Sequence, residues 1–145
     1  MRDIDPMKLQ KLVYISHGWN LAILVDPLIS QAVKAWKYGP VIPDLYHEFK
    51  EFGADPIARK ARRVDPETGS LVDFPAEIAS ETVQVVDRVW DSYKDYTGVQ
   101  LSTLTHQPGT PWHQVMEFRK RHPNASLWIP NKLIRDHYLK LAGKA

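Results

Sequence analysis

The length, composition and charge of this 145-residue chain exclude several classes of protein: without cysteine it forms no disulfides or thiolate-bound metal sites, and no apolar run approaches the ~20 residues of a membrane-spanning helix. The 19 basic and 17 acidic residues give a net charge of +2, too small to make nucleic acid the leading partner. We therefore expect one domain over residues 1–145 that needs no cofactor, does not associate with membranes, and is cytoplasmic because its N-terminus lacks the apolar core of a signal peptide.

The first predicted helix begins at Asp5, because aspartate can cap a helix and the proline after it suits the first helical position. Residues at helical spacing form one face, namely Leu9, Leu12, Val13, Ser16, Trp19 and Ile23. The valine, aspartate and proline at 25–27 end the helix. This pattern places Lys8 and Lys11 outward on a solvated stripe, and we expect His17 to be a half-buried packing residue and not a metal ligand.

A conformationally constrained segment around Gly39-Pro40, here called the Gly-Pro joint, follows the first helix. Residues 28–42 are β-prone, with Val33 and Trp36 as expected inward anchors. Gly39 can adopt positive φ, and Pro40 fixes its own backbone angle while restricting the residue before it. The joint therefore has little conformational freedom and presents its large side chains in a defined place.

The second predicted helix begins at Pro43-Asp44 and ends near Gly53, which supplies a C-cap. Its inward-facing residues are Leu45, Phe49 and Phe52. Residues 54–75 are the least helical and an arginine-rich part of the chain. Within them, segments 62–65 and 70–74 flank a Pro-Glu-Thr-Gly sequence, whose proline and glycine positions predict a β-hairpin.

Four more helices complete the predicted fold. They run from about Pro75 to Tyr96, through residues 99–104, over 111–121 behind a Thr110 cap, and from about Pro130 onward. We expect Gly98 to end the long helix. Together the elements predict a mainly α fold, a single compact helical domain of about six helices with a small β-hairpin or short-strand element.

Thr105-His106 is the most enzyme-like fragment of the chain. Ser102 lies four residues before His106 and could face it on a helix, but no acid is placed in sequence to orient the pair. His106 and His113 lack the spacing of a zinc motif, and the seven glycines are scattered singly, so no phosphate loop is present. We therefore expect no catalytic site and no metal, with Thr105 and His106 bonding loop backbone. A hydrolase centred on His106 is kept as a remaining alternative.

Several motifs occur in a fixed order along the chain. They are Lys8-Leu9-Gln10-Lys11-Leu12 with Tyr14, Trp36-Lys37-Tyr38-Gly39-Pro40-Val41, Tyr46, Leu101-Ser102 with Leu104-Thr105-His106, and Pro111-Trp112. Over residues 7–140, this ordered set resembles the Panacea domain, the SocA-like antitoxin domain of phage-associated proteins that was formerly a domain of unknown function. The resemblance implies an antitoxin that is encoded beside a protein toxin and neutralises it by direct binding.

Aromatic and arginine side chains carry most of the energy of typical protein interfaces. The candidate toxin contacts are therefore Tyr38, Tyr46, His47, Trp90 and Trp128, with Arg59, Arg62 and Arg63 as a charged rim. The other motif residues, including Trp36, are expected to build the scaffold.

Other functions remain alternatives to direct neutralisation of a toxin. Some relatives deliver a toxin to a protease, so a protease adaptor is one alternative. A nucleic-acid-binding regulatory module using the basic clusters at 59–63 and 119–121 is another. Relatives often carry a further helix before the first motif, which leaves packing completed by a partner or by a second copy of the chain as a further alternative.

Overall fold

Six helices and five short strands form the part of the chain that the structure, a computed structural model, describes, which is residues 3–74 and 77–143. The helices are α1 (Pro6–Leu24), α2 (Pro43–Phe49), α3 (Ser80–Tyr93), α4 (Gly98–Thr105), α5 (Pro111–Arg121) and α6 (Asn131–Leu141). The strands are β1 (Val33–Trp36), β2 (Gly39–Val41), β3 (Arg62–Val64), β4 (Leu71–Asp73) and β5 (Trp128–Ile129). The prediction of a mainly α domain with small β elements is confirmed. Within the described ranges, no helix is long and apolar enough to cross a membrane.

Helix α1 is the centre of the fold, because α2, α3, α4, α6 and β2 all pack against it. Asp5 caps its first turn by accepting a hydrogen bond from the backbone nitrogen of Lys8 at 2.8 Å, as the sequence predicted. Lys8 and Lys11 are only 5% and 1% exposed. The prediction that these two lysines point into solvent is wrong. Five elements pack against α1, and they cover the side of its first turns on which Lys8 and Lys11 lie.

His17 lies completely inside the fold and holds two other segments against α1. Its Nε2 lies 2.9 Å from the side-chain oxygen of Asn131, and its Nδ1 accepts a hydrogen bond from the backbone nitrogen of Leu28 at 3.2 Å. Burial lowers the pKa of His17. The residue is a packing histidine, as expected, but it is fully and not half buried.

The main core is formed around α1 by residues from every other helix except α2, and from the three-stranded sheet. Its members are Leu12, Tyr14, Ile15, Leu21, Val33, Ala35, Ile42, Val89, Leu101, Val115, Ile129, Ile134 and Tyr138. The contact between α1 and α6 requires a glycine, since a Cβ on Gly18 would lie 2.2 Å from a ring carbon of Tyr138. The Tyr138 ring also packs edge-on against Trp19, with 5.2 Å between the ring centroids.

The boundary between α3 and α4 differs from the prediction. Helix α3 ends at Tyr93, short of the predicted Tyr96, and its predicted start at Pro75 lies outside the described residues. Gly98 does not end α3; it is the first residue of α4, behind a capping box in which Thr97 and Gln100 bond each other's backbone nitrogen. A Cβ on Gly98 would lie 2.9 Å from the backbone nitrogen of Lys8, so this glycine permits the close approach of α4 to α1.

Two small antiparallel sheets complete the fold. In the first, the strand order is β2-β1-β5, and β1 pairs with β2 so that Trp36 lies opposite Gly39. In the second, β3 pairs with β4, with Arg63 opposite Val72, which confirms the predicted hairpin. The three-stranded sheet carries the Gly-Pro joint and therefore positions the candidate site.

Candidate functional site

The polar residues of α1 bind the backbone of the Gly-Pro joint. The Gln10 amide donates to the carbonyl oxygen of Ile42 and accepts from its backbone nitrogen, both at 3.0 Å. The Lys11 ammonium donates to the carbonyl oxygen of Pro40 at 2.8 Å. These side chains supply the bonds that a neighbouring strand would make along the outer side of β2 and of Ile42, which follows it. Helix α1 therefore closes this edge of the sheet.

Two further helices hold the turn between β1 and β2. The Ser102 hydroxyl of α4 donates to the carbonyl oxygen of Tyr38 at 2.5 Å, and the Trp112 indole of α5 donates to the carbonyl oxygen of Trp36 at 2.6 Å. The joint is thus fixed by side chains from three helices that lie far from it in sequence. Since the Ser102 hydroxyl bonds Tyr38 and not His106, the geometry does not assemble the serine–histidine pair that a hydrolase would need.

Three motif side chains converge on Gly39, whose φ of 111° favours glycine. A Cβ built there would lie 3.2 Å from Lys11 Nζ, 3.4 Å from Thr105 Oγ1 and 3.5 Å from His106 Nδ1. The Thr105 hydroxyl bonds carbonyls of its own helix, not of a loop as predicted. The His106 ring packs edge-on against Trp112 at 5.2 Å, and its buried Nδ1 has no hydrogen-bond partner in the described part of the chain.

The ammonium of Lys11 is a buried cation without an ion-pair partner among the described residues. Burial lowers the pKa of Lys11 to about 8, because an apolar surrounding disfavours the charged form. No group of three or more potential metal-ligating side chains occurs within residues 3–74 and 77–143. Because Lys11 carries a positive charge below about pH 8, the polar cluster around Gly39 is cationic at neutral pH.

A concave surface, here called the motif groove, opens beside this cluster with a volume of about 290 Å³. It is lined by Pro6, Met7, Leu9, Gln10, Lys11, Trp36, Lys37, Tyr38, Val41, Leu45, Tyr46, Phe49, Lys50 and Gly53. Tyr38 is 58% and Tyr46 40% exposed, and the Tyr46 ring packs edge-on against Trp36 at 5.2 Å. The groove thus combines an apolar lining with two exposed aromatic side chains on a fixed backbone.

The predicted contact residues divide into two groups. Tyr38 and Tyr46 line the motif groove, and His47 lies exposed beside Tyr46, with 5.4 Å between their ring centroids. Trp90 and Trp128 do not line it. Trp90 lies on α3 beside a second groove, 5.6 Å below the Lys8 ammonium, and Trp128 lies on β5 under the ammonium of Lys34 at 4.5 Å.

Two of the three arginines predicted as a charged rim, Arg59 and Arg62, form ion pairs within the protein itself. Arg59 bonds the carboxylates of Glu48 at 2.7 Å and Glu51 at 2.5 Å, and Arg62 lies 3.6 Å from Glu51. The hydrogen bond from Arg59 holds the pKa of Glu48 below its usual value. Only Arg63, of the three, is exposed without an ion pair in the described chain.

Sequence reasoning missed several residues that line the groove, including Met7, Lys37 and Lys50. The helical spacing of Leu45 and Phe49 predicts that they lie on the same face of α2. It does not predict which side of α1 this face packs against. Gln10 could have been recognised from the sequence. It is an amide within an amphipathic helix, and a buried amide must form hydrogen bonds with other polar groups.

Comparison with known proteins identifies the family. The family model described as antitoxin SocA-like, Panacea domain, matches residues 9–113, and the chain belongs to this family. Antitoxin SocA of Caulobacter vibrioides (strain NA1000 / CB15N) is 28% identical over 135 residues, which cover 93% of this chain and 72% of that protein. No solved structure matches the chain. Family membership supports an antitoxin role, implies a toxin as partner and suggests a regulatory role that is not enzymatic.

Proposed function

We propose that this protein is an antitoxin that neutralises a cognate protein toxin by binding it directly, and that an adjacent gene encodes the toxin. The family provides the general role. The observation that supports direct binding is the motif groove, in which Tyr38 and Tyr46 are exposed on a backbone held by hydrogen bonds from neighbouring helices. The phage or prophage origin of the gene pair is part of the same proposal, and the genes that flank the pair test it.

Rigidity of the frame favours tight binding. The β1–β2 turn is held by bonds from Lys11, Ser102 and Trp112, so binding would order few additional groups and lose little conformational entropy. Exposed tyrosines bring a large apolar area and a hydrogen-bonding hydroxyl to an interface. An interface of typical size, ~1,600 Å², would extend beyond the groove on both sides. The groove would supply its central contacts.

The experiment is co-expression of the adjacent gene with this protein or its variants, read as growth and as co-purification of the two proteins. The wild type is expected to restore growth and to co-purify with the toxin. The double variant Tyr38→Ala/Tyr46→Ala is expected to lose about 2 kcal/mol or more of binding free energy, as hot-spot residues do. Tyr96→Ala is the matched control, because Tyr96 is 42% exposed and does not line the groove.

Two outcomes would contradict the proposal. One is an adjacent gene product that is not toxic, or a toxic product that this protein neither binds nor neutralises. The other is a toxin that binds the double variant as tightly as it binds Tyr96→Ala, which would leave an antitoxin role but remove the groove from its interface. Toxin half-life, followed by immunoblot, separates occlusion from delivery to a protease, because only delivery shortens it.

A further inference from the structure

The charged residues of the motif groove all have one sign. Lys11, Lys37 and Lys50 line it, and no aspartate or glutamate in the described part of the chain does. None of the three lysines has an ion-pair partner within residues 3–74 and 77–143. The Lys37 ammonium lies over the Tyr38 ring, 5.4 Å from its centre, so a cation and an aromatic side chain are held together at the groove.

Five lysines and arginines outside the groove form ion pairs within residues 3–74 and 77–143. The pairs are Arg59 with Glu48 and Glu51, Arg62 with Glu51, Lys94 with Asp91, Lys120 with Glu117, and Lys132 with Asp136. What the groove has in particular is three lysines gathered in one lining, none of them in an ion pair with a described residue. A cleft with apolar walls concentrates the field of such charges and raises the local concentration of anions.

The shape of the groove restricts what can occupy it. Its volume of about 290 Å³ lies just below the ~300–1,000 Å³ found for ligand pockets, so it can take one or two side chains. Leu9, Val41 and Phe49 make the lining apolar. Addition of a strand to β2 is not available, because Lys11 already bonds Pro40 of that strand and Gln10 bonds Ile42, the residue after it. Recognition must therefore act through side chains of the occupant.

We propose that the motif groove binds a short acidic and aromatic segment of the toxin. One large apolar side chain enters between Tyr38 and Tyr46, and a carboxylate beside it lies against Lys37 and Lys50. This inference rests on the proposed function and specifies the chemistry of the partner. Single-stranded nucleic acid, which also binds aromatic and basic grooves, fits less well, because no arginine of residues 3–74 and 77–143 lines the groove and its lining is mainly apolar.

The first test does not depend on the toxin. A displayed library of random dodecapeptides is panned on the immobilised protein, and the enriched peptides are measured by fluorescence anisotropy. Enriched sequences are expected to place aspartate or glutamate next to phenylalanine, tryptophan or leucine. Their affinity is expected to fall by about tenfold or more in Lys37→Glu/Lys50→Glu, because each attraction becomes a repulsion. Raised salt is expected to weaken binding to the wild type.

The matched control is Lys60→Glu/Lys140→Glu, which makes the same change in net charge at exposed residues that do not line the groove. Circular dichroism checks that both double variants are folded. The inference is overturned if enriched peptides show no acidic bias, if no peptide distinguishes the two double variants, or if an oligothymidylate probe binds the groove in preference to the peptides. Self-association that Lys37→Glu/Lys50→Glu abolishes would overturn it too, since a second copy would then be the occupant.

A second arm separates failure of this inference from failure of the proposed function. The same two double variants are co-expressed with the toxin. Loss of neutralisation in Lys37→Glu/Lys50→Glu alone supports both statements. If both double variants neutralise the toxin, the antitoxin role stands and the acidic segment is rejected. If the wild type does not neutralise it, the proposed function itself falls.

Discussion

Replacement of the buried Lys11 by methionine should change how the stability of the protein depends on pH. The pKa of Lys11 is about 8 in the fold, against an ordinary value of 10.5. Below pH 8 the lysine is charged in both the folded and the unfolded chain, and the fold bears the full cost of burying the charge. Above pH 10.5 the lysine is neutral in both. The free energy of unfolding should therefore rise with pH between these two values.

The size of the effect follows from the two pKa values. Each unit of difference corresponds to about 1.4 kcal/mol, so the full cost of the buried charge is about 3 kcal/mol. Of this, about 2.5 kcal/mol should be regained by the wild type between pH 7 and pH 10. Lys11→Met removes this cost at every pH, but it leaves the Pro40 carbonyl without its hydrogen bond, a loss of about 1–3 kcal/mol. At pH 7 the variant should therefore be about as stable as the wild type or more stable.

Urea denaturation at a series of pH values between about 7 and 10 measures the difference between wild type and Lys11→Met, in which other titrating groups cancel. Relative to the variant, the wild type should gain about 2.5 kcal/mol across the series. Lys140→Met, at an exposed residue, is the control and should run parallel to the wild type. Parallel curves for Lys11→Met would refute the reasoning, because they would mean that the ammonium is solvated in the folded protein.

Two substitutions test the contacts that hold α1 in place. Gln10→Leu should cost about 2 kcal/mol or more, since it leaves both the backbone nitrogen and the carbonyl of Ile42 unpaired inside the fold, and the Ile42 amide should exchange its hydrogen faster; unchanged protection of that amide would contradict the assignment. Gly18→Ala should cost about 1–3 kcal/mol by overpacking against Tyr138. The cost should shrink in a Tyr138→Leu background, and simple additivity of the two changes in free energy would show that the ring is not the obstacle.

Elements whose ends depend on neighbouring residues were predicted well from the sequence. The Asp5 cap, the Thr110 cap and the hairpin turn follow from side chains that bond backbone groups within a few residues, so no tertiary contact is needed to foresee them. The error at Gly98 has the opposite cause. A glycine is read from sequence as a helix end, but here it admits the backbone of α1, which only the crossing of two helices reveals.

The motif groove could be predicted only in part. Tyr38 and Tyr46 were expected as contacts because aromatic side chains carry much of the energy of protein interfaces, and both line the groove. The side chains of Lys8 and Lys11 were assigned to solvent because periodicity reports one apolar face and says nothing about how many elements will surround a helix. Trp90 and Trp128 were grouped with the tyrosines by residue type alone, and the fold separates them from the groove.

The sequence by itself determined the mainly α fold, the helix caps, the constrained joint and the family, because each depends on local chemistry or on the order of motifs. Only the tertiary structure decided that Lys11 bonds Pro40 in β2 and that Gln10 bonds Ile42 just after it, each about thirty residues away. It also decided that the groove is cationic. The hydrogen bonds depend on which backbone groups, distant in sequence, come to lie beside α1. The charge of the groove depends on which carboxylates lie close to its lysines. Both are properties of the packed chain.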